Sequence, residues 1–217
     1  MPITINGSGT VTGISAGGLP DNCIVTADIA DNNVTTPKVS DGAITQAKRS
    51  EQLTRETSQA STSGTSIDFP NIPSWVKRIT VILNGVSTSG ASNNVILQLG
   101  DSGGVETTGY ISYASTVYIN LSTGVVASTG TGVTDGFPIL FGLASSIRIG
   151  AYTLYNISGN TWVATYTFGT SDAISLAGSS QGGGNKTLSG TLDRVRLTTT
   201  GGTDTFDAGM VNIIYEG

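Results

Sequence analysis

The sequence predicts an all-β protein, with an extended N-terminal region containing short helical turns and then an antiparallel, jelly-roll-like β-sandwich head. Three observations predict this class. Only 12% of the 217 residues are charged and 30 are glycine, and a chain rich in Gly, Ser and Thr favours strands and turns over helices. Residues 21–50 repeat with a period of ten. From residue 67 onward, short apolar runs alternate with turn residues.

The first predicted element is the ten-residue repeat that begins at Asp21. Written in tens, it reads DNCIVTADIA, DNNVTTPKVS and DGAITQAKRS. Each decad starts with a turn-forming pair, and Thr36-Pro37 is typical of the N-cap and first position of a one-turn helix. The apolar anchors of the repeat are Ile24, Ile29, Val34, Val39 and Ile44.

These anchors are too sparse to form a core within one chain. Ordering the backbone costs about 1 to 2 kcal/mol per residue, whereas one buried branched side chain returns only about 1.5 to 3 kcal/mol. We therefore expect neighbouring copies of the chain to bury the anchors in a shaft. The alternative is a disordered linker of biased composition, but the constant spacing over three decads favours the shaft.

The remaining chain divides into a polar segment and a strand-rich region. Residues 51–66 lose the ten-residue period and are expected to be a linker or stalk, and residues 67–217 are expected to form the head. In the run 75–84, Ile79, Val81 and Leu83 share the face expected to be buried. Residues 110–113 and 116–121 are predicted as two separate strands, and Ser158-Gly159-Asn160 as a hairpin turn.

Composition excludes several functional classes. The chain has no histidine, one cysteine and a net charge of −5. Without histidine it lacks the usual general base and the usual ligand of catalytic zinc, and its scattered Lys and Arg form no basic stripe for phosphates. Its longest apolar run, 137–144, is much shorter than the roughly 20 residues that cross a bilayer. We expect no enzyme activity, metal, cofactor, nucleic-acid partner or membrane insertion.

Motifs that resemble catalytic sites are expected to be polar turns. Gly100-Asp101-Ser102-Gly103-Gly104 has the letters around the nucleophile of trypsin-like proteases, but that mechanism requires a histidine. The carboxylate pairs Asp204/Asp207 and Asp101/Glu106 are alternatives for a glycosidase or a calcium loop. They stand among glycine and threonine, where Asp commonly accepts backbone hydrogen bonds.

The aromatic residues fall into two groups. Trp162, Tyr166 and Phe168 share one face of an alternating run and are expected in the core. Tyr110, Tyr113 and Tyr118 lie among Gly, Ser and Thr, a setting typical of binding loops, and are candidates for receptor contact or for packing between copies. Gly183 and Asn185, in a predicted flexible loop at 182–185, are candidates for the rim of the same contact.

Three stretches of this sequence resemble bacteriophage tail fibre proteins. MPITINGSGTVTGISAGGLPDN, followed by decads of the DGAIT type, resembles the start of such fibres. IPSWVKRITVILNGVSTSGASNNVILQLGDSGGVETTGY resembles a C-terminal β-domain found in fibres and prophage tail proteins, and FDAGMVNIIYEG resembles the last strand of that domain.

The resemblance implies a homotrimer carried in the virion tail and made in the host cytoplasm. Residues 1–20 would attach to a phage tail or baseplate protein, and the head would bind a glycan or protein receptor on the host bacterial surface. With only three decads the shaft would be short. The alternative within the same class is a structural collar or decoration fibre that binds no receptor.

Overall fold

The computed structural model describes residues 24–40, 42–45, 48, 53–90, 93–144, 146–172 and 175–217. The chain divides into two compact units, residues 1–48 and 49–217. The predicted attachment segment, 1–20, lies outside the described residues. Almost all regular structure in the described part is β-strand, with antiparallel pairing throughout the sheets, so the all-β class is confirmed.

The first unit keeps the ten-residue period in its backbone. Two 3-10 turns lie ten residues apart, at Thr26–Asp28 and Thr36–Lys38. One hydrogen bond recurs at the same interval, from Asp28 N to Val25 O (2.9 Å), Lys38 N to Thr35 O (2.8 Å) and Lys48 N to Thr45 O (2.9 Å). The predicted helical turns are therefore present, although the N-cap is Thr35 rather than Thr36.

Turn residues recur with the same period. Asn32 has a φ of 67° and Gly42 a φ of 77°, and both residue types tolerate this left-handed region better than others do. The Asn33 amide bonds to the Ala30 carbonyl at 3.1 Å, and the Ala43 amide to the Ser40 carbonyl at 2.9 Å. In the second and third decads, the second residue of the predicted turn thus supplies the conformation that the turn requires.

The second unit consists of fourteen strands among the described residues. They are β1 Leu53–Arg55, β2 Gln59–Ala60, β3 Ser66–Phe69, β4 Arg78–Thr88, β5 Val95–Asp101, β6 Gly104–Val105, β7 Ile111–Asn120, β8 Val126–Val133, β9 Phe137–Ile139, β10 Ile147–Ser158, β11 Thr161–Ser171, β12 Leu176–Thr187, β13 Arg194–Thr199 and β14 Phe206–Glu216.

These strands form two antiparallel sheets over one hydrophobic core. In the described part of the chain, the long sheet has nine strands in the order β1-β14-β4-β10-β11-β12-β7-β8, with β2 also on β14. The short sheet has five, in the order β3-β13-β5-β6, with β9 on β5. Both sheets contribute to the same core. Ile79, Val81 and Leu83 are buried in it as predicted, and Trp75 packs against it.

The predicted linker belongs to the second unit over its described part, residues 53–66. β1 and β2 both pair with β14, placing Leu53 opposite Glu216 and Gln59 opposite Val211. The Gln59 side-chain amide also donates to the Asp68 carbonyl at 2.8 Å. The sequence predicted a linker or stalk over 51–66, whereas residues 53–60 contribute two short strands to the long sheet. A polar segment is well suited to cover a sheet edge that has one side in solvent.

Two glycine-rich segments form strands where the sequence predicted other structure. The run 182–184, predicted as a flexible loop, lies inside β12, which is paired along its length with β11 and β7. Residues 126–133 form β8, which was not predicted, and the two strands predicted within 110–121 are the single strand β7. Pairing with neighbouring strands outweighs the low strand preference of glycine. The hairpin at Gly159-Asn160 is confirmed.

Candidate functional site: the outer face of the long sheet

The outer face of the long sheet is electrically neutral over five strands. In β7, β8, β10, β11 and β12 the only charged residues are Arg148 and Lys186, and both are buried, at 0% and 5% exposure. Large apolar side chains are exposed on the same strands, including Ile111, Tyr113 and Ile149. A surface depleted of charge and enriched in aromatic and aliphatic side chains is typical of the centre of an interface.

A shallow groove of about 730 Å³ lies on this face. We call it the neutral groove; its outward-facing side chains are those of Tyr113, Ser115, Ala151, Thr153, Thr165, Thr167 and Gln181. Ala114, Tyr166 and Gly182, which alternate with these residues along the strands, complete the lining. The volume falls in the range of small-molecule sites, about 300 to 1,000 Å³.

The alternation of β11 explains the floor of the groove. Trp162, Tyr166 and Phe168 point into the core and are at most 4% exposed, so the threonines at 165 and 167 must point outward. Thr165 lies opposite Thr153 on β10 and opposite Gly183 on β12. Because Gly183 has no side chain, the row of side chains is interrupted between Thr165 and Tyr113.

Gly182 allows the large aromatic residues to pack beneath the groove. A Cβ atom at this position would overlap the hydroxyl and ring of Tyr166 and come within 2.7 Å of the Tyr113 carbonyl oxygen. Tyr166 in turn packs on Tyr152, with ring centroids 4.8 Å apart. The lack of a side chain at Gly182 therefore lets Tyr166 pack close to β12, and the glycine does not make the chain flexible here.

Three of the five predicted contact residues are neighbours on the outer face. Tyr113 pairs directly with Gly183, and Asn185 lies two residues further along β12. Tyr113 is 67% exposed, whereas Gly183 and Asn185 are half-buried. All three lie on strands β7 and β12, so the expectation that they stand in binding loops is wrong.

The other two predicted contact residues point toward the interior. Tyr110 is 1% exposed, and its hydroxyl accepts the Leu99 amide at 2.6 Å and lies 3.0 Å from the Glu106 carbonyl oxygen. Tyr118 is half-buried and packs edge-on against Phe141, with centroids 6.3 Å apart. The expected exposure of Tyr110 is wrong, because this side chain fills the core beside Phe137.

The two buried cations on these strands are held by the protein itself. Arg148 donates to the carbonyl oxygens of Ser146 (2.9 Å) and Phe141 (2.6 Å), and burial lowers its pKa to about 10. Lys186 Nζ lies 2.5 Å from Glu106 Oε2 and donates to the Thr108 carbonyl at 2.9 Å. Neither charge reaches the outer face.

Burial also raises the pKa of Tyr166, beneath the groove, to about 12, so this phenol is neutral below that pH.

The carboxylates of the first pair, Asp101 and Glu106, make structural contacts. Ser102 and Gly103 form the turn between β5 and β6, where the Gly103 amide donates to Asp101 at 2.8 Å. Hydrogen bonds from Ser189 and from Gly103 hold the pKa of Asp101 below its ordinary value. This is the polar turn that the sequence predicted.

The second carboxylate pair is also hydrogen-bonded within the protein. Asp204 accepts the Asn93 side-chain amide at 3.0 Å, and the Ser87 hydroxyl donates to Asp207. Within the described residues, no group of three or more His, Cys, Asp or Glu side chains is arranged to hold a metal ion. The same part of the chain contains no helix with the length and hydropathy needed to span a membrane.

In the first unit the decad anchors remain on the surface of the single chain. Ile24, Ile29, Val34 and Ile44 are between 43% and 58% exposed, and Val39 is half-buried. The first three of these line a groove of about 520 Å³. Apolar side chains in this number and spacing are a candidate contact surface for other copies of the chain.

Comparison of the chain with models of protein families, with curated proteins and with solved structures finds no match.

Sequence reasoning missed most of the neutral groove. Thr153, Thr165, Thr167 and Gln181 were not candidates, because each is unremarkable in a chain rich in such residues. The sequence does contain a signal for this groove. Between residues 147 and 187 only positions 148, 172 and 186 are charged. The three long alternating runs in that stretch therefore have too few charges to cover an outer face.

Proposed function

We propose that the chain is a phage tail fibre protein that attaches the virion to a receptor on the bacterial surface. Its second unit, a β-sandwich head of the jelly-roll type, would bind the receptor, which is a glycan or a protein. Its first unit would form the shaft of a homotrimer and join the head to a phage tail or baseplate protein through residues 1–20. The protein would be made in the host cytoplasm and reside in the virion.

The observation that carries this proposal is the neutral face of the long sheet, with Tyr113 exposed beside Gly183. A soluble domain usually covers its surface with charged residues, so five strands without an outward charge indicate a surface made for contact. The exposed tyrosine in Ser, Thr and Gly surroundings supplies the kind of adaptable contact that binding surfaces use. The tail fibre resemblance of the sequence motifs gives this contact a biological setting.

Exposure of the decad anchors supports the trimeric shaft. Four of the five are at least 43% exposed in the single chain, which leaves branched side chains in water unless another copy covers them. A trimer would also explain how a shallow site could hold a virion. Three weak sites on one rigid body raise avidity by about 10² to 10⁴ over a single site when all can engage.

Cell binding tests the proposal directly. Fluorescently labelled full-length protein would be incubated with a panel of bacterial strains and measured by flow cytometry. We expect saturable binding to at least one strain, and loss of that binding in Tyr113→Ala. The matched control is Tyr155→Ala, which removes an exposed aromatic residue of β10 that does not line the neutral groove.

Two outcomes would contradict receptor binding. A trimer that binds no strain in the panel would favour the structural collar or decoration fibre. Release of soluble polysaccharide from the cells would indicate a depolymerase, an enzyme activity that the proposal excludes.

A further inference from the structure

The side chains of the neutral groove restrict the charge of what it can bind. Its lining contains no charged side chain, and the two cations on the surrounding strands are buried and held by protein oxygens. A charged ligand would lose hydration on entering such a site and find no countercharge. The groove therefore favours an uncharged ligand over a phosphate-bearing or carboxylate-bearing one.

The hydrogen-bonding capacity of the groove requires a polar ligand. Thr153, Thr165, Thr167, Ser115 and Gln181 make no side-chain hydrogen bonds to other described residues. Each hydroxyl can both donate and accept, and the glutamine amide offers two donors and an acceptor oxygen. A purely apolar ligand would cover these groups without pairing them, which costs binding free energy. A ligand with many hydroxyl groups could donate hydrogen bonds to these side chains and accept hydrogen bonds from them.

The pairing of the strands beneath the groove leaves no free edge at which an extended peptide could join the sheet. β11 is paired with β10 on one side and β12 on the other, and β12 is paired with β7. Main-chain groups of these strands are therefore engaged in the sheet, whereas recognition of an added strand requires a free edge. Recognition of a ligand on this face therefore depends on side chains rather than on strand pairing.

Tyr113 provides a flat apolar wall at one end of the groove. Its ring lies over the edge strand β8, where a Cβ atom at Gly132 would be 3.0 Å from the tyrosine Cε1. The ring is thus supported on one side, while 67% of the residue remains exposed. An aromatic ring with a wet hydroxyl end suits a partner that has both an apolar face and polar edges.

We propose that the neutral groove binds an uncharged carbohydrate, with a sugar ring stacked on Tyr113 and its hydroxyl groups paired with Gln181 and the threonines of β10 and β11. A neutral sugar satisfies all four restrictions: it carries no charge, its hydroxyl groups donate and accept, it needs no free strand edge, and its C–H face is apolar. This inference rests on the proposed function, because it names the chemical class of the receptor at the same site.

The test uses the full-length protein and two sets of immobilised oligosaccharides. One set consists of neutral tetrasaccharides of glucose, galactose, mannose and rhamnose, and the other of the same compounds carrying a carboxylate or phosphate group. We expect binding to at least one neutral compound and weaker binding to its charged counterpart. Tyr113→Phe should retain binding, whereas Tyr113→Ala should weaken it.

Two further variants separate the groove from the rest of the face. Gln181→Leu removes the amide at similar volume and should lower affinity by about threefold to tenfold. Ser115→Ala should also weaken binding, while Ser179→Ala, a matched change on β12 outside the lining, should leave it unchanged. Thermal unfolding of each variant, expected to match that of the wild type, shows that lost binding is not lost folding.

The outcomes distinguish this inference from the proposed function. If the protein binds bacterial cells but prefers the charged set, or binds only a surface protein, the inference is wrong and the proposed function stands. If it binds neither cells nor oligosaccharides, both are wrong. If Tyr113→Ala changes the mass of the assembly in solution, the neutral face packs between copies of the chain and the inference is overturned.

Discussion

At the residue scale, Tyr110 and Tyr113 show how one residue type takes two roles within a few positions. Tyr110 is buried and anchors the Leu99 amide, whereas Tyr113 is exposed at the neutral groove. The positions differ by three, and an odd difference places side chains on opposite faces of an extended chain. All three tyrosines 110, 113 and 118 stand among Gly, Ser and Thr, and this shared setting predicted one role for them. The alternation of side chains along the predicted strand 110–113 is the signal that separates Tyr110 from Tyr113.

Replacing each tyrosine with phenylalanine tests this difference. Tyr110→Phe leaves the buried Leu99 amide without its partner, so the free energy of unfolding should fall by about 1 to 3 kcal/mol. Tyr113→Phe removes an exposed hydroxyl and should change it by less than about 0.5 kcal/mol. Urea denaturation measures both. Equal effects of the two substitutions would show that the Tyr110 hydroxyl does not support the core.

At the element scale, the alternation of apolar and polar residues and the positions of turn residues predicted those strands that carry apolar side chains. The burial of Ile79, Val81 and Leu83 and the turn at Gly159 follow from local pattern. β8 and the middle of β12 could not be predicted this way, because their glycines and serines carry little strand preference of their own. Those strands exist because β7 and β11 pair with them.

Two glycines of the long sheet should respond differently to an added methyl group. Gly182→Ala would push a Cβ atom into Tyr166, and overpacking of this kind costs about 1 to 3 kcal/mol. At Gly169 the closest atom to an added Cβ is the Ile149 carbonyl oxygen at 3.8 Å, so Gly169→Ala should be neutral or slightly stabilising. Thermal unfolding of both variants measures this. A tolerated Gly182→Ala would mean that Tyr166 has room to move.

At the scale of the whole molecule, buried tyrosines should make the second unit sensitive to alkali. The pKa values of Tyr166 and Tyr215 are raised to about 12, and burial also raises those of Tyr110 and Tyr152. An unfolded tyrosine has a pKa of about 10. Above that pH the unfolded chain loses protons that the folded chain keeps, so the free energy of unfolding falls as pH rises.

Arg148 opposes this trend but should not reverse it. Its pKa is lowered from 12.5 to about 10, so the folded chain releases that proton first and gains stability over the same pH range. One arginine acts against four tyrosines. We expect the temperature of the unfolding midpoint to decrease as the pH is raised from about 10 to about 12. These limits are the pKa of an unfolded tyrosine and the raised pKa values of Tyr166 and Tyr215. Tyr166→Phe should reduce the slope; a midpoint that rises through this window would contradict the assignment.

The mass of the full-length protein in solution decides whether it is a homotrimer, and adhesion through three shallow sites depends on the trimer. Light scattering coupled to size-exclusion chromatography should give three times the mass of one chain. The double variant Ile29→Ser/Val34→Ser should shift the protein toward the mass of one chain, while Val125→Ser, at an exposed position outside the repeat, should not. A stable, folded wild-type monomer with residues 24–40 ordered would contradict the account.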